Sequence, residues 1–161
     1  MSSLPHVPID AAIRELTFWL DAPWPLSQLE AASHASALGW TVQRDDDGKP
    51  WVIAPDRPFE SRAVIGLRSE PRPTATMDWD LTDLAPLDDL QAEDEVRDLF
   101  AEYVAAGRGL WGRGVMRRKY DPEVSWDLGD RGGIQMRGGM SVRVSFVSPD
   151  HLATLKHINE W

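Results

Sequence analysis

At 161 residues, with 42% apolar and 27% charged side chains, the chain has the make-up of one ordinary globular domain. It contains no cysteine, which excludes a disulfide framework, thiolate zinc or iron–sulfur ligation and a thiol nucleophile. A formal net charge of −9 opposes binding along a nucleic-acid backbone, where affinity comes from Lys and Arg, and makes a basic protein the easier partner.

The first residues carry Pro5, Pro8, Asp10, Arg14 and Glu15, so no basic start followed by an apolar core marks a secretory signal. No run approaches the roughly 18 apolar residues of a membrane span, and the expected location is cytoplasmic. Residues 1–9 read as a loose leader to a single domain spanning 1–161. From Asp10 to Asp21, Ile13, Leu16, Phe18, Trp19 and Leu20 share one helical side, and Pro23 and Pro25 end the segment. Ser27 and Glu30 form a capping box that opens a second helix, ending near Gly39. The period then changes to that of strands, over Trp40–Arg44 and Trp51–Ala54, with Asp47-Gly48 as the turn between them. Two more follow at Arg62–Ser69 and Thr74–Leu81, separated by Pro71 and Pro73. In the latter, Thr76, Asp78 and Asp80 alternate with Met77, Trp79 and Leu81, as in a strand with one wet face.

The longest helix is predicted between Asp88 and Ala106. Val96, Leu99, Phe100, Tyr103 and Val104 lie on one stripe, Glu95, Asp98 and Glu102 on another, and Gly107 is the expected stop. Beyond a Gly-rich link come four short strands, at Val115–Tyr120, Val124–Leu128, Gly133–Arg137 and Ser141–Val147, the last alternating with Val142, Val144 and Phe146 inward and Arg143 and Ser145 outward. A closing helix starts at Ser148-Pro149-Asp150 and carries Leu152, Leu155 and Ile158. The order ααββββαββββα, with strands clustered by short turns, predicts an α+β fold: an antiparallel sheet of about six to eight short strands with helices packed on it. No internal repeat survives counting, although two sets of strands, each followed by a helix, are compatible with a degenerate duplication.

Few constellations suggest chemistry. Gly107-Arg-Gly-Leu-Trp-Gly112 matches G-x-G-x-x-G, but it follows a helix and leads to a strand, the reverse of a dinucleotide site. It reads instead as a connector presenting Trp111 between Arg108 and Arg113, a contact anchor. Asp45-Asp46-Asp47 lacks calcium-loop spacing because Lys49 stands where a ligand should be; Asp78 and Asp80 could face a magnesium ion but read as a hydrated sheet face. His6, His34, His151 and His157 form no H-x-x-x-H pair, and there is neither a G-x-S-x-G elbow nor an S-x-x-K motif. The reading is of a protein that is no enzyme and needs no metal or cofactor. Of the eight tryptophans, Trp40, Trp51, Trp79 and Trp126 fall in strands as core, whereas Trp24, Trp111 and Trp161 are candidate interface anchors.

Charge is segregated. Asp78–Glu102 holds ten acids and one base, and Arg108–Arg143 eight bases and four acids. Such asymmetry steers association with an oppositely charged partner. The residues expected to contact it are Asp88, Asp89, Glu95, Asp98 and Glu102, with Trp111 as anchor.

Trp24-Pro-Leu26, Leu38-Gly-Trp40, Tyr120-Asp-Pro-Glu-Val-Ser-Trp-Asp-Leu-Gly129 and Ser141-Val-Arg-Val-Ser-Phe-Val-Ser-Pro149 give the chain a layout, over residues 24–155, that resembles a group of small uncharacterised actinobacterial proteins found around polymorphic-toxin and specialised-secretion loci. The resemblance implies an immunity-like or secretion-accessory role and transfers no functional residue. The expected function is therefore an acidic immunity protein that occludes a basic toxin domain. A secretion chaperone holding an apolar client, and an enzyme with a scattered active site, are the alternatives.

Overall fold

The computed structural model describes residues 4–44, 46, 50–54, 57–60, 63–66, 73–118 and 120–161, with the backbone alone for 50–54 and 63–66. The expected Asp47-Gly48 turn, the Asp45 and Asp47 carboxylates, Lys49, the Pro71 loop, the ends of the Arg62–Ser69 strand and the Trp51 side chain lie outside the described residues.

The chain is α+β, and its elements follow the predicted order: α1 (Ile9–Leu20), α2 (Gln28–Ala35), β1 (Thr41–Arg44), β2 (Pro50–Ala54), β3 (Ala63–Gly66), β4 (Thr76–Asp80), α3 (Leu90–Trp111), β5 (Val115–Arg118), β6 (Pro122–Asp127), β7 (Gly133–Arg137), β8 (Arg143–Val147) and α4 (Pro149–His157). Local chemistry sets the boundaries. Ser27 and Glu30 complete the capping box of α2, and Gly39, at φ 77°, ends the 3-10 turn after it in the left-handed conformation that glycine adopts without strain. Ser148 caps α4 with Pro149 at its first turn. Ile158, expected within α4, is its C-cap just beyond the helix and is exposed.

All strands join one antiparallel sheet in the order β1-β2-β3-β4-β8-β7-β6-β5. Two four-stranded meanders thus meet through their last strands. The β4–β8 register is symmetric about Asp78↔Ser145, with Met77↔Phe146 and Trp79↔Val144 on either side.

One face of the sheet carries the core. Met77, Trp79, Val124, Trp126, Ile134, Met136, Val144 and Phe146 are buried there beneath α1, α2 and α3. Indoles form its spine: Trp19 packs against Trp24 and Trp40, Trp40 meets Trp79 edge-on at 5.5 Å, and Trp24 stacks on Phe146 at 5.1 Å. Trp40, Trp79 and Trp126 are core, as expected. Trp24 folds back onto its own domain, with its indole N–H donating to the Trp19 carbonyl.

Two expectations need correction. The leader is not loose from Leu4 onward, because Leu4 and Val7 are buried, the Val7 N–H donates to the Leu81 carbonyl, and the Tyr103 hydroxyl donates to the Val7 carbonyl. Burial of that phenol pushes its pKa well above the usual tyrosine range. The second concerns Gly107, which does not stop α3. The helix continues to Trp111 and ends at Gly112, so the G-x-G-x-x-G run is mostly helical. Gly107 is needed for closeness: a Cβ there would lie 3.0 Å from two ring atoms of Trp126. A helical glycine costs about 1 kcal/mol in propensity, which this packing can offset.

Candidate functional site

The acidic residues singled out in the sequence sit on α3 and the loop before it. Asp89 is the N-cap, its Oδ1 accepting from the Ala92 N–H at 3.0 Å, and Asp88 beside it is exposed at φ 63°. Within the helix, Glu95, Asp98 and Glu102 recur at steps of three and four and share one face. With His6, Gln91, Asp94 and Leu99 they line an open groove of about 430 Å³. The buried stripe of Val96, Leu99, Phe100, Tyr103 and Val104 orients this face by packing on the sheet.

The predicted residues are not equivalent. Asp98 and Glu102 are exposed, whereas Glu95 is half-buried and accepts the Leu4 N–H at 2.9 Å, pinning the N-terminal segment. Asp94 is paired with Arg97 on the surface. Trp111 does not join the group. It stands nine residues beyond Glu102, roughly 13 Å along the helix axis, and its half-buried ring meets Trp126 edge-on at 5.5 Å. Rather than a loop-borne anchor, it is the last side chain of α3.

Sequence reasoning missed what lies next to the ridge. Leu84, Leu87 and Leu90, in the loop entering α3 and at its first position, are 65%, 84% and 73% exposed. Their spacing suggests a helical stripe, but Asp88 in the left-handed conformation breaks the helix between them. Three exposed leucines thus alternate in the sequence with Asp83, Asp88 and Asp89 where the chain enters the helix.

Elsewhere, a cleft of about 340 Å³ lies between Trp24, Pro25, Thr74 and the start of α4 at Asp150 and His151. The backbone N–H of His151 is capped by Ser148 there. Asp78 and Asp80 do share the open face of the sheet, but Asp78 accepts a hydrogen bond from Ser145 and Asp80 lies 3.2 Å from Arg143. Among the described residues no group of three or more His, Asp or Glu is placed to hold a metal ion, and no helix is long and apolar enough to cross a membrane.

A family model matches residues 10–148, which takes in every element from α1 to β8. The chain belongs to DUF6301, a family of unknown function. No curated protein and no solved structure matches it. The matched segment includes the whole acidic face of α3 and both sheet halves, while all of α4 falls beyond it.

Proposed function

We propose that this DUF6301 protein is a non-catalytic binding module whose α3 ridge receives a basic protein. The observation that carries this reading is the exposure of Asp98 and Glu102 on one face of α3, together with that of Leu84, Leu87 and Leu90 where the same helix begins. Apolar side chains bordered by charge are the common composition of a protein interface: leucines supply burial, and acids supply long-range attraction and register. A toxin domain occluded in the cytoplasm is the partner favoured by the chain's acidity and by its resemblance to proteins of toxin loci. Nuclease-like toxins are basic where they meet nucleic acid, and an acidic ridge is complementary to such a surface.

The exposed leucines also favour a second reading, a chaperone that holds an apolar segment of an exported client. The two differ in salt dependence, since an acid-driven encounter is screened over about 8 Å at physiological ionic strength and an apolar one is not.

The test is capture from the host cell extract with the tagged full chain, beside an Asp98→Lys/Glu102→Lys variant that leaves Glu95 and the N-terminal segment intact. The expected result is a basic protein retained at low salt, lost at high salt and lost from the variant, whose toxicity in cells is relieved by the wild-type chain alone. A partner held equally by wild type and variant at both salt concentrations would remove the ridge from the interface.

A further inference from the structure

The face of the sheet turned away from the core carries an ordered pattern of charge. Pairing places Asp80 opposite Arg143, Arg143 opposite Arg137, Arg137 opposite Glu123 and Glu123 opposite Arg117, a row across five strands in which two guanidiniums stand side by side between two acids. Like charges directly opposed across strands are destabilising, so nothing in sheet formation calls for the central pair. The outer carboxylates brace it. Arg143 lies 3.2 Å from Asp80 through Nε, and Arg137 lies 3.5 Å from Glu123 through one Nη. This leaves both Nη nitrogens of Arg143 and the second Nη of Arg137 without an ion pair among the described residues, out of five N–H donors on each guanidinium. A parallel row lies one step along the strands: Asp78, Ser145, Gln135 and Ser125. Here Asp78 accepts from the Ser145 hydroxyl, and the Ser125 hydroxyl is buried without a hydrogen-bond partner among the described residues. Asp78, Gln135, Arg137, Arg143 and Ser145 together line a groove of about 310 Å³. That is near the lower end of the ~300–1,000 Å³ of small-molecule sites.

We infer that this groove binds a small amino-carboxylate zwitterion, its carboxylate between Arg137 and Arg143 and its ammonium on Asp78. Two guanidiniums offer the planar donors that match a carboxylate. The surrounding charge selects which anion enters. Asp78, Asp80 and Glu123 are matched in number by Arg117, Arg137 and Arg143, so the two rows carry no net charge and a phosphate dianion would bring an unbalanced one. A zwitterion brings no net charge and supplies a cation for the one carboxylate of the lower row. Burial raises the Asp80 pKa despite the nearby Arg143, so that carboxylate is partly shielded from water. The two rows are roughly 7 Å apart along the strands, so the side-chain reach of Arg137 and Arg143 determines which spacing of ammonium and carboxylate fits. The groove is on the opposite side of the sheet from α3 and does not depend on the reading of the ridge.

The test is a titration of the ¹⁵N-labelled full chain, followed by amide NMR, with free α-, β- and ω-amino acids at millimolar concentration. N-acetyl and carboxamide derivatives and inorganic phosphate serve as further probes. At least one free amino acid is expected to give saturable shifts centred on Gln135, Arg137, Arg143 and Ser145, abolished by amidation and weakened by acetylation. Arg143→Gln and Asp78→Asn, each shown by its amide spectrum to be folded, should each weaken that binding by roughly tenfold or more. No saturation by any free amino acid would overturn the inference. So would equal binding of the acetylated forms, preference for phosphate, or unchanged affinity in the folded variants.

Discussion

The sheet divides the protein's charges into two populations, and arginine–carboxylate pairs occur in both. Beneath the helices, Arg57 meets both carboxylate oxygens of Glu15 at 2.6 Å, with side chains only 7% and 9% exposed. On the open face, Arg143 and Asp80 pair at 49% and 23% exposure, and Arg137 and Glu123 at 57% and 19%. The same functional groups therefore have different consequences. A buried pair is closed to ligands and must satisfy itself, because each charge has lost its water. A half-exposed pair contributes little to stability, keeps donors to spare and can exchange one partner for another.

The sharpest way to break this contrast is to orphan the buried acid. Burial already raises the Glu15 pKa even with Arg57 and Trp40 lowering it. Arg57→Met should destabilise the fold by about 3–5 kcal/mol at neutral pH, whereas removing both charges as Glu15→Leu/Arg57→Met should be close to neutral. The pH dependence has a definite sign. A carboxyl whose folded pKa is raised contributes most below its unfolded value, near 4.5, and that contribution is lost as pH rises through the folded pKa. Without Arg57 the folded pKa rises further, so the deficit of the single variant should be smaller at pH 4.5 than at pH 7. Urea denaturation at the two values checks this, and an equal deficit at both would mean that Glu15 is not ionised where it lies.

The core side was largely legible in the sequence because its signals are periodic and local. Alternation along Thr76–Leu81 and Ser141–Val147 placed Met77, Trp79, Val144 and Phe146 inward, and they are buried. Caps at Ser27 and Ser148 fixed two helix starts. The open face was not legible, for a physical reason. Outward-pointing Arg143 could be read from one strand, but its neighbours are set by pairing between β4, β8 and β7, segments separated by as many as 67 residues between Asp78 and Ser145. No local pattern encodes which charges will oppose one another. The α3 ridge stands between these cases: its stripe was visible, while the engagement of Glu95 by Leu4 required a contact 91 residues away. Gly107 misled because a glycine that ends a helix and one that admits a neighbouring ring look alike in one sequence.

That glycine gives the next test, on the core side alone. Gly107→Ala gains helix propensity but places a Cβ 3.0 Å from the Trp126 ring, which is also held by its indole N–H donating to the Gly112 carbonyl at 2.8 Å. With the ring anchored at one end, overpacking should outweigh propensity and cost about 1–3 kcal/mol, read as a lowered denaturation midpoint. Stabilisation instead would show that Trp126 can yield, and that Gly107 is no more than a tolerated weak point.

The smallest effect belongs to the exposed population, at the pair that ties α4 to β6. Lys156 Nζ lies 2.8 Å from Asp127 Oδ2, with side chains 50% and 35% exposed. Its hydrogen bond, together with the Gly129 N–H, lowers the Asp127 pKa, the opposite direction to Glu15. A carboxylate with a depressed folded pKa contributes stability above its unfolded value, and this is lost as pH falls through the folded one. Lys156→Met should therefore cost less than about 1 kcal/mol at pH 7, less again in high salt, and nothing once Asp127 is protonated in both forms. Denaturation midpoints of Lys156→Met and wild type should converge as pH falls, as should those of Arg57→Met and wild type; the size of the gap at pH 7 separates the two pairs. If Lys156→Met instead cost as much as Arg57→Met, exposure would have failed to separate the two kinds of pair, and the open face would have to be regarded as structural rather than available to a ligand.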